Sequence, residues 1–285
     1  MLLTLGAALL YAVTSVLQQS AAADVAHHRS LRPGLLLELV RRPRWLLGNV
    51  AEVGAVVLQF IALRRGSLLL VQTVLVSGLL FALPLGAALQ HRRLATGDWL
   101  GTLAVVLGLG VFVLVARPTR GRGNASPAGW AAVLGLGCGV VAGLIVAAPR
   151  RPGSARAHCL GAACGVLFGV DAALAKASGH LLNHGLAHAA GGWEPYTLAV
   201  LGVLGFLLAQ SAFQAGPLAA SLPLITALDP LAAALIGVLA FHERLASDGP
   251  AIVLQVAAAA AIAAGVWTLA RSPLVVGPPA AAGTR

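Results

Sequence analysis

The chain has 285 residues, of which 59% are hydrophobic and 10% are charged, and its mean hydropathy is +0.89. This composition excludes a water-soluble globular domain, since such domains carry about 25% charged residues. The formal net charge of +10 does not indicate a nucleic-acid partner, because the arginines lie in short segments between apolar runs, where the positive-inside rule places them. The sequence therefore predicts an all-α polytopic protein in a lipid bilayer.

Nine apolar runs are long enough to form transmembrane helices, since about 20 helical residues cross the hydrocarbon core. They cover residues 2–22, 44–63, 67–90, 98–116, 128–148, 157–178, 194–213, 218–241 and 249–270. The predicted organisation is a first helical repeat (1–116), a loop and connector helix (117–156), a second repeat (157–272) and a disordered tail (273–285).

Two sequence patterns predict how the halves are arranged. Blocks 6–8, 62–66 and 93–94 recur in the same order as blocks 161–163, 212–216 and 244–245. The first and sixth spans enter the membrane from opposite sides, so the halves are predicted to be inverted repeats, an architecture of many secondary transporters. If successive loops lie on alternate sides of the membrane, twelve arginines fall on one side and six on the other. The richer side is predicted to be the cytoplasm, with the N-terminus outside, the C-terminus inside and the protein in the plasma membrane.

Three acidic residues lie inside predicted spans: Glu52, Asp171 and Asp229. A charge at the centre of a membrane helix costs about 2.5 to 3.5 kcal/mol, so these side chains are expected to line a substrate or ion pathway. Pro230 follows Asp229 and frees the carbonyl of Thr226. A second interpretation is that Asp229 caps a half-helix that begins at Pro230.

Polar side chains share helical faces in three of the predicted spans. The faces are Tyr11, Thr14, Ser15 and Gln18 in the first span, Asn49, Glu52 and Gln59 in the second, and Gln210, Ser211 and Gln214 in the seventh. Such stripes are typical of hydrogen bonds between membrane helices. Together with the acids they indicate a shared aqueous cavity, and Gln18, Gln59, Gln210 and Gln214 are predicted to line it.

Lys176, near the end of the sixth span, has two interpretations. If it extends to the interface, the core holds three acids and favours a cation or protons; if it turns inward, it neutralises one of them. On the same helix, Gly161, Gly165 and Gly169 recur every four residues and predict close contact with a neighbouring helix.

His180, His184 and His188 follow the sixth span at a spacing that aligns them if they are helical. They are interpreted as the polar face of an interfacial helix or as ligands of a transition metal. Near the end of the eighth span, Glu243 and Arg244 are predicted to form a solvated interface pair. The sequence contains no phosphate-binding loop, GxSxG elbow or HExxH pair, so neither an enzyme nor a cofactor is expected.

Residues 61–89 and 210–245, the latter closing with Glu-Arg-Leu, resemble the third and fourth helices of the EamA-type repeat of the drug/metabolite transporter superfamily. The nine-span layout, Trp45 and Glu52 in the second span, a connector beginning at Gly129 and Lys176 closing the sixth span resemble the NIPA branch of magnesium transporters. The chain departs from that branch at Ala51, where the branch has Gly, and at 73–74, Thr-Val in place of Pro-Leu.

The residues and the resemblance together imply a secondary transporter that moves a small polar metabolite or cation by alternating access. A NIPA-like magnesium transporter is one alternative, with Glu52, Asp171 and Asp229 as candidate Mg²⁺ ligands. A membrane-embedded enzyme or scaffold is an alternative of a different class. A homodimer is left open.

Overall fold

The computed structural model describes residues 2–25, 30–65, 74–89, 91–117 and 121–272, and all regular structure in this part of the chain is helical. The predicted tail therefore lies outside the described residues. The helices are α1 (Leu2–Ala23), α2 (Pro33–Leu39), α3 (Pro43–Arg65), α4 (Gly78–Leu89), α5 (Thr96–Ala116), α6 (Pro127–Ala147), α7 (Ser154–Asn183), α8 (Leu186–Gly191), α9 (Glu194–Ala215), α10 (Leu218–Ala240) and α11 (Gly249–Ala270).

Seven helices of the described part are long and apolar enough to cross a membrane: α1, α5, α6, α7, α9, α10 and α11. The protein is therefore a multi-pass membrane protein. The predicted second span falls in α3, which has 23 residues. The predicted third span coincides in part with a shorter apolar segment, Val74–Leu89, which contains α4. The full count of nine spans stays a prediction.

Helices α1 and α3 pack antiparallel along their length through small residues. A Cβ atom added to Gly48 would lie 3.1 Å from Cγ of Gln18, and one added to Gly54 would lie 3.2 Å from Leu10. Thr14 Oγ1 donates a hydrogen bond of 3.0 Å to the carbonyl of Gly48. This close approach places the polar faces of the two helices side by side.

The glycine stripe of α7 packs directly on α10, as the spacing predicts. Cβ atoms added to Gly161, Gly165 and Gly169 would lie 2.9 to 3.0 Å from backbone carbonyl oxygens of Ser221, Ile225 and Asp229, respectively. Both series of residues ascend together, so the two helices run parallel. The contact brings the middle of α10, where Asp229 lies, against α7.

Hydrogen bonds group the connecting segments at two ends of the bundle. At one end, Arg122 N donates to the carbonyl of Phe241 (2.8 Å) and Ala246 N donates to that of Ala116 (2.9 Å). At the other end, Gly153 N donates to the carbonyl of Ala215 (2.8 Å) and Leu31 N donates to Ser211 Oγ (3.0 Å). The segments after α5 and α10 therefore share one end, and the segments after α1, α6 and α9 share the other.

Helix α10 contains Pro223 and Pro230 but runs without a break from Leu218 to Ala240. The interpretation of Asp229 as the cap of a new half-helix is therefore wrong. Pro230 still lacks an N–H group and so leaves the carbonyl of Thr226 without its helical donor. Polar backbone is thus present near the middle of a membrane helix.

Candidate functional site

Four side chains from three helices form one continuous chain of hydrogen bonds, which we name the relay: Trp45, Gln210, Gln18 and Glu52. Trp45 Nε1 donates to Gln210 Oε1 at 3.2 Å, and Gln210 Nε2 donates to Gln18 Oε1 at 2.8 Å. Gln18 Nε2 then donates to Glu52 Oε2 at 2.9 Å. The structure thus brings together three of the residues that the sequence places in the pathway, Gln18, Glu52 and Gln210.

The relay is buried and connects the two halves of the chain. Gln210 is fully buried, Gln18 is 4% exposed and Trp45 is 8% exposed, while Glu52 is half-buried. Trp45 and Glu52 belong to α3 and Gln18 to α1, whereas Gln210 belongs to α9. Buried polar groups are stabilised only when they are hydrogen-bonded, so each amide here depends on its neighbours.

The other two predicted glutamines are placed differently. Gln214 lies one turn beyond Gln210 on α9, where its Nε2 donates to the carbonyl of Val25 at 3.1 Å. It therefore joins α9 to the segment after α1 rather than to the relay. Gln59 lies in α3, and its side chain is outside the described part of the structure.

A cleft of about 100 Å³ lies between α1, α4 and α10. Tyr11, Ser15 and Thr226 contribute hydroxyl groups to its lining, and Leu79 and Leu222 contribute apolar surface. Tyr11 lies within electrostatic range of Glu52. Helices of both halves therefore line the cleft, and its Tyr11 lies near Glu52, the last residue of the relay. The lining also includes Thr226, whose backbone carbonyl lacks a helical donor because of Pro230.

The other two acids form a second group at the packed faces of α7, α9 and α10. Asp171 lies within electrostatic range of Asp229, and Cβ atoms added to Gly202 and Gly205 of α9 would lie 3.9 and 3.7 Å from Asp171 Oδ2. Asp171 Oδ1 is buried and accepts no hydrogen bond from the described residues. Cys164, fully buried, directs its Sγ to the carbonyl of Gly205 at 3.5 Å. Asp171 thus faces α9, while Asp229 lies on α10 against the glycine face of α7.

Lys176 pairs with Glu243, at the end of the bundle where α10 terminates. Its Nζ also lies 4.5 Å from the centroid of the Phe241 ring. Helix α7 continues to Asn183, so Lys176 lies about two turns before the helix end, although it is near the end of the predicted span. The sequence suggested a pair between Glu243 and its neighbour Arg244. In the structure, Glu243 pairs with Lys176.

The three histidines do not lie on one continuous helix. Helix α7 ends at Asn183, Gly185 has a φ of 108°, and α8 begins at Leu186. The rings of His180 and His184 are nevertheless 5.0 Å apart, and those of His184 and His188 are 6.2 Å apart. Within the described residues, no group of three or more His, Cys, Asp or Glu side chains is arranged to hold a metal ion.

Trp45 is the part of the relay that polar stripes alone do not identify. It lies seven residues before Glu52 in the sequence, which is two helical turns and therefore the same face. That spacing is the signal that could have found it. Its partner Gln210 is 165 residues away in the sequence, and no local pattern predicts that contact.

A protein of Corynebacterium glutamicum that bears the name "uncharacterized protein" is 31% identical to this chain over 244 residues, which cover 85% of this chain and 84% of that protein. No protein-family model matches the chain, and no solved structure matches it. The resemblance to the drug/metabolite transporter superfamily therefore stays a prediction. By its identity and coverage, the chain belongs to the same family as this corynebacterial protein.

Proposed function

We propose that the protein is a secondary transporter of the drug/metabolite transporter type, which moves a small polar metabolite or cation across the cell membrane by alternating access. The relay is the observation that carries this proposal. It joins Glu52 of the first half to Gln210 of the second half, beside a cleft that both halves line. Transporters built from two repeats hold their cargo at such an interface, near the middle of the membrane.

Matching helix pairs support the proposed inverted repeat. Helices α1 and α3 are antiparallel, and so are α7 and α9, since Gly205 of α9 faces Phe168 and Gly216, directly after α9, faces Ala157. Helices α1 and α4 run parallel, with Gly78 beside Ala8 and Gly86 beside Val16, just as α7 and α10 do. Each half therefore offers one antiparallel and one parallel pair at corresponding positions.

Magnesium is the second candidate cargo, and the Asp171–Asp229 pair favours it. Mg²⁺ keeps several of its waters and needs only one or two carboxylates from a protein. The two aspartates lie within electrostatic range of each other on neighbouring helices. Such a site would attract a hydrated divalent ion without enclosing it.

The test is flux into proteoliposomes that contain the purified protein, a Mg²⁺-sensitive dye and a pH-sensitive dye. We expect a gradient-driven signal in the wild type, for Mg²⁺ or for a solute whose movement releases or consumes protons. Glu52→Gln should lower the rate by at least about tenfold, the equivalent of about 1.4 kcal/mol. Asp229→Asn should lower the Mg²⁺ signal if magnesium is the cargo.

Asp248→Asn is the matched control, because Asp248 is an exposed acid at the start of α11, outside the cleft. Its flux should equal that of the wild type. Wild-type vesicles that move neither Mg²⁺ nor any solute of the screen would contradict the proposal. An activity that persists in detergent without any gradient would instead support a membrane enzyme or scaffold.

A further inference from the structure

The relay begins and ends on the same helix. Trp45 and Glu52 both belong to α3, and the two glutamines that connect them come from α9 and α1. The three hydrogen bonds run in one direction, with every donor on the Trp45 side and every acceptor on the Glu52 side. Amides linked in this way polarise one another, so the last N–H group of the chain is a stronger donor than an isolated amide.

Trp45 fixes that direction. An indole N–H can donate but cannot accept, whereas a glutamine side chain can present either its oxygen or its amino group to a neighbour. Gln210 must therefore offer Oε1 to Trp45 and its amino group to Gln18. By the same reasoning, Gln18 must offer Oε1 to Gln210 and its amino group to Glu52. The side chain at position 52 is thereby required to accept a hydrogen bond.

We propose that Trp45 is the positioning residue of this site. Its indole sets the direction of both amides, so that Glu52 receives a hydrogen bond that favours its ionised form, the form that can take up a cationic group or a proton. The role in cargo binding rests on the proposed transport function. The effect on the charge of Glu52 follows from the hydrogen bonds alone.

The ionisable groups around Glu52 are few in the described part of the molecule. Tyr11 faces it from α1, and α4 carries no ionisable residue. On α9 the ionisable residues are Glu194 and Tyr196, which lie at the start of the helix, fourteen or more residues before Gln210. On α3 itself, Arg44 lies two turns before Glu52 and is exposed. Among the described residues, the direct polar contact of this carboxyl group is therefore the hydrogen bond that Gln18 donates.

The first test is an infrared pH titration of the full-length protein in lipid nanodiscs, which follows the carbonyl-stretch band of a protonated carboxylic acid. Subtracting the spectrum of Glu52→Gln isolates the band of Glu52. Trp45→Phe keeps an aromatic ring against Phe206, whose centroid is 6.0 Å away, but removes the donor. Both amides can then rotate, so that Gln18 offers its oxygen to Glu52. Only the protonated acid can donate a hydrogen bond to that oxygen. We expect the band to develop about one pH unit higher, a tenfold change in protonation.

Trp130→Phe is the matched control, since it removes the indole that donates to Asn124 at 2.8 Å, away from the relay. Its titration of Glu52 should equal that of the wild type. An unchanged titration in Trp45→Phe, or an equal shift in both tryptophan variants, would overturn the proposal.

Gln210→Glu provides a second, independent variant. The introduced carboxylate can only accept, so Gln18 must direct its amino group to α9 and its oxygen to Glu52. We expect the Glu52 band at neutral pH, absent when Glu52→Gln is added to the same variant. If a folded Gln210→Glu protein lacks the band of protonated Glu52, the result would contradict the direction that we assign to the hydrogen bonds of the relay. Because no step requires flux, a failure here leaves the proposed transport function standing, and a failure of transport leaves this result standing.

Discussion

Lys176 and Glu243 form an ion pair between segments that are 67 residues apart in the sequence. Their side chains are 33% and 17% exposed, and the ammonium group also contacts the Phe241 ring. A double-mutant cycle with Lys176→Met and Glu243→Gln should give a coupling free energy of about 1 kcal/mol, since partial burial strengthens a pair that water would otherwise screen. The measurement is thermal unfolding of the protein in detergent.

The more exposed pair Arg42–Glu38, with a separation of 3.5 Å at i and i+4, is the comparison for that cycle. Solvent-exposed ion pairs contribute about 0.2 to 1 kcal/mol. A coupling at Lys176–Glu243 no larger than the one at Arg42–Glu38 would show that the bridge does not hold the end of α7 to the segment after α10.

Single polar residues could be predicted as site residues, but their partners could not. Gln18, Glu52 and Gln210 stand out because each interrupts an apolar helix, where a polar group needs a partner. Which partner each one takes depends on how the helices pack, and that is decided by contacts between distant segments. The sequence therefore names Trp45 and Glu243 but not their partners, Gln210 and Lys176.

At the scale of the helix, the α7–α10 contact depends on the missing side chain of Gly169. A Cβ atom there would lie 2.9 Å from the backbone nitrogen of Ala233 and 3.0 Å from the carbonyl oxygen of Asp229. Because the backbone cannot yield as a flexible side chain does, Gly169→Ala should destabilise the protein by about 1 to 3 kcal/mol. The lower unfolding temperature is measured in detergent.

Gly139→Ala on α6 is the control, since a Cβ atom at that position meets nothing within 4 Å. Alanine is the better helix former by about 1 kcal/mol, so this variant should be neutral or slightly more stable. Equal destabilisation by the two changes would show that the loss at Gly169 does not come from contact with α10.

The existence of the long helices could be predicted more reliably than their ends. Apolar length identifies a membrane span, but the backbone hydrogen bonds of a helix do not stop where the apolar run stops. Helix α7 accordingly continues to Asn183, past the predicted end at residue 178. Likewise, Pro230 removes one hydrogen bond from α10. The helix is nevertheless uninterrupted, and it packs on the glycine face of α7.

At the scale of the whole molecule, the two groups of connecting segments give a topology prediction. Ser247 lies in the segment after α10 and Pro152 in the segment after α6, and both are exposed. We expect that in intact cells a membrane-impermeant maleimide labels Ser247→Cys but not Pro152→Cys, because the arginine-rich end faces the cytoplasm. The free cysteines Cys138, Cys159 and Cys164 are first replaced by alanine. The reverse labelling pattern would invert the proposed orientation.

The relay also has a mechanical consequence. Its bonds fasten α9 of the second half to α1 and α3 of the first half, so a motion that preserves them moves these three helices as one rigid body. A motion that separates the halves along the sequence repeat must break both bonds of Gln210, the one to Gln18 and the one to Trp45. The boundary between moving parts therefore need not coincide with the boundary between repeats.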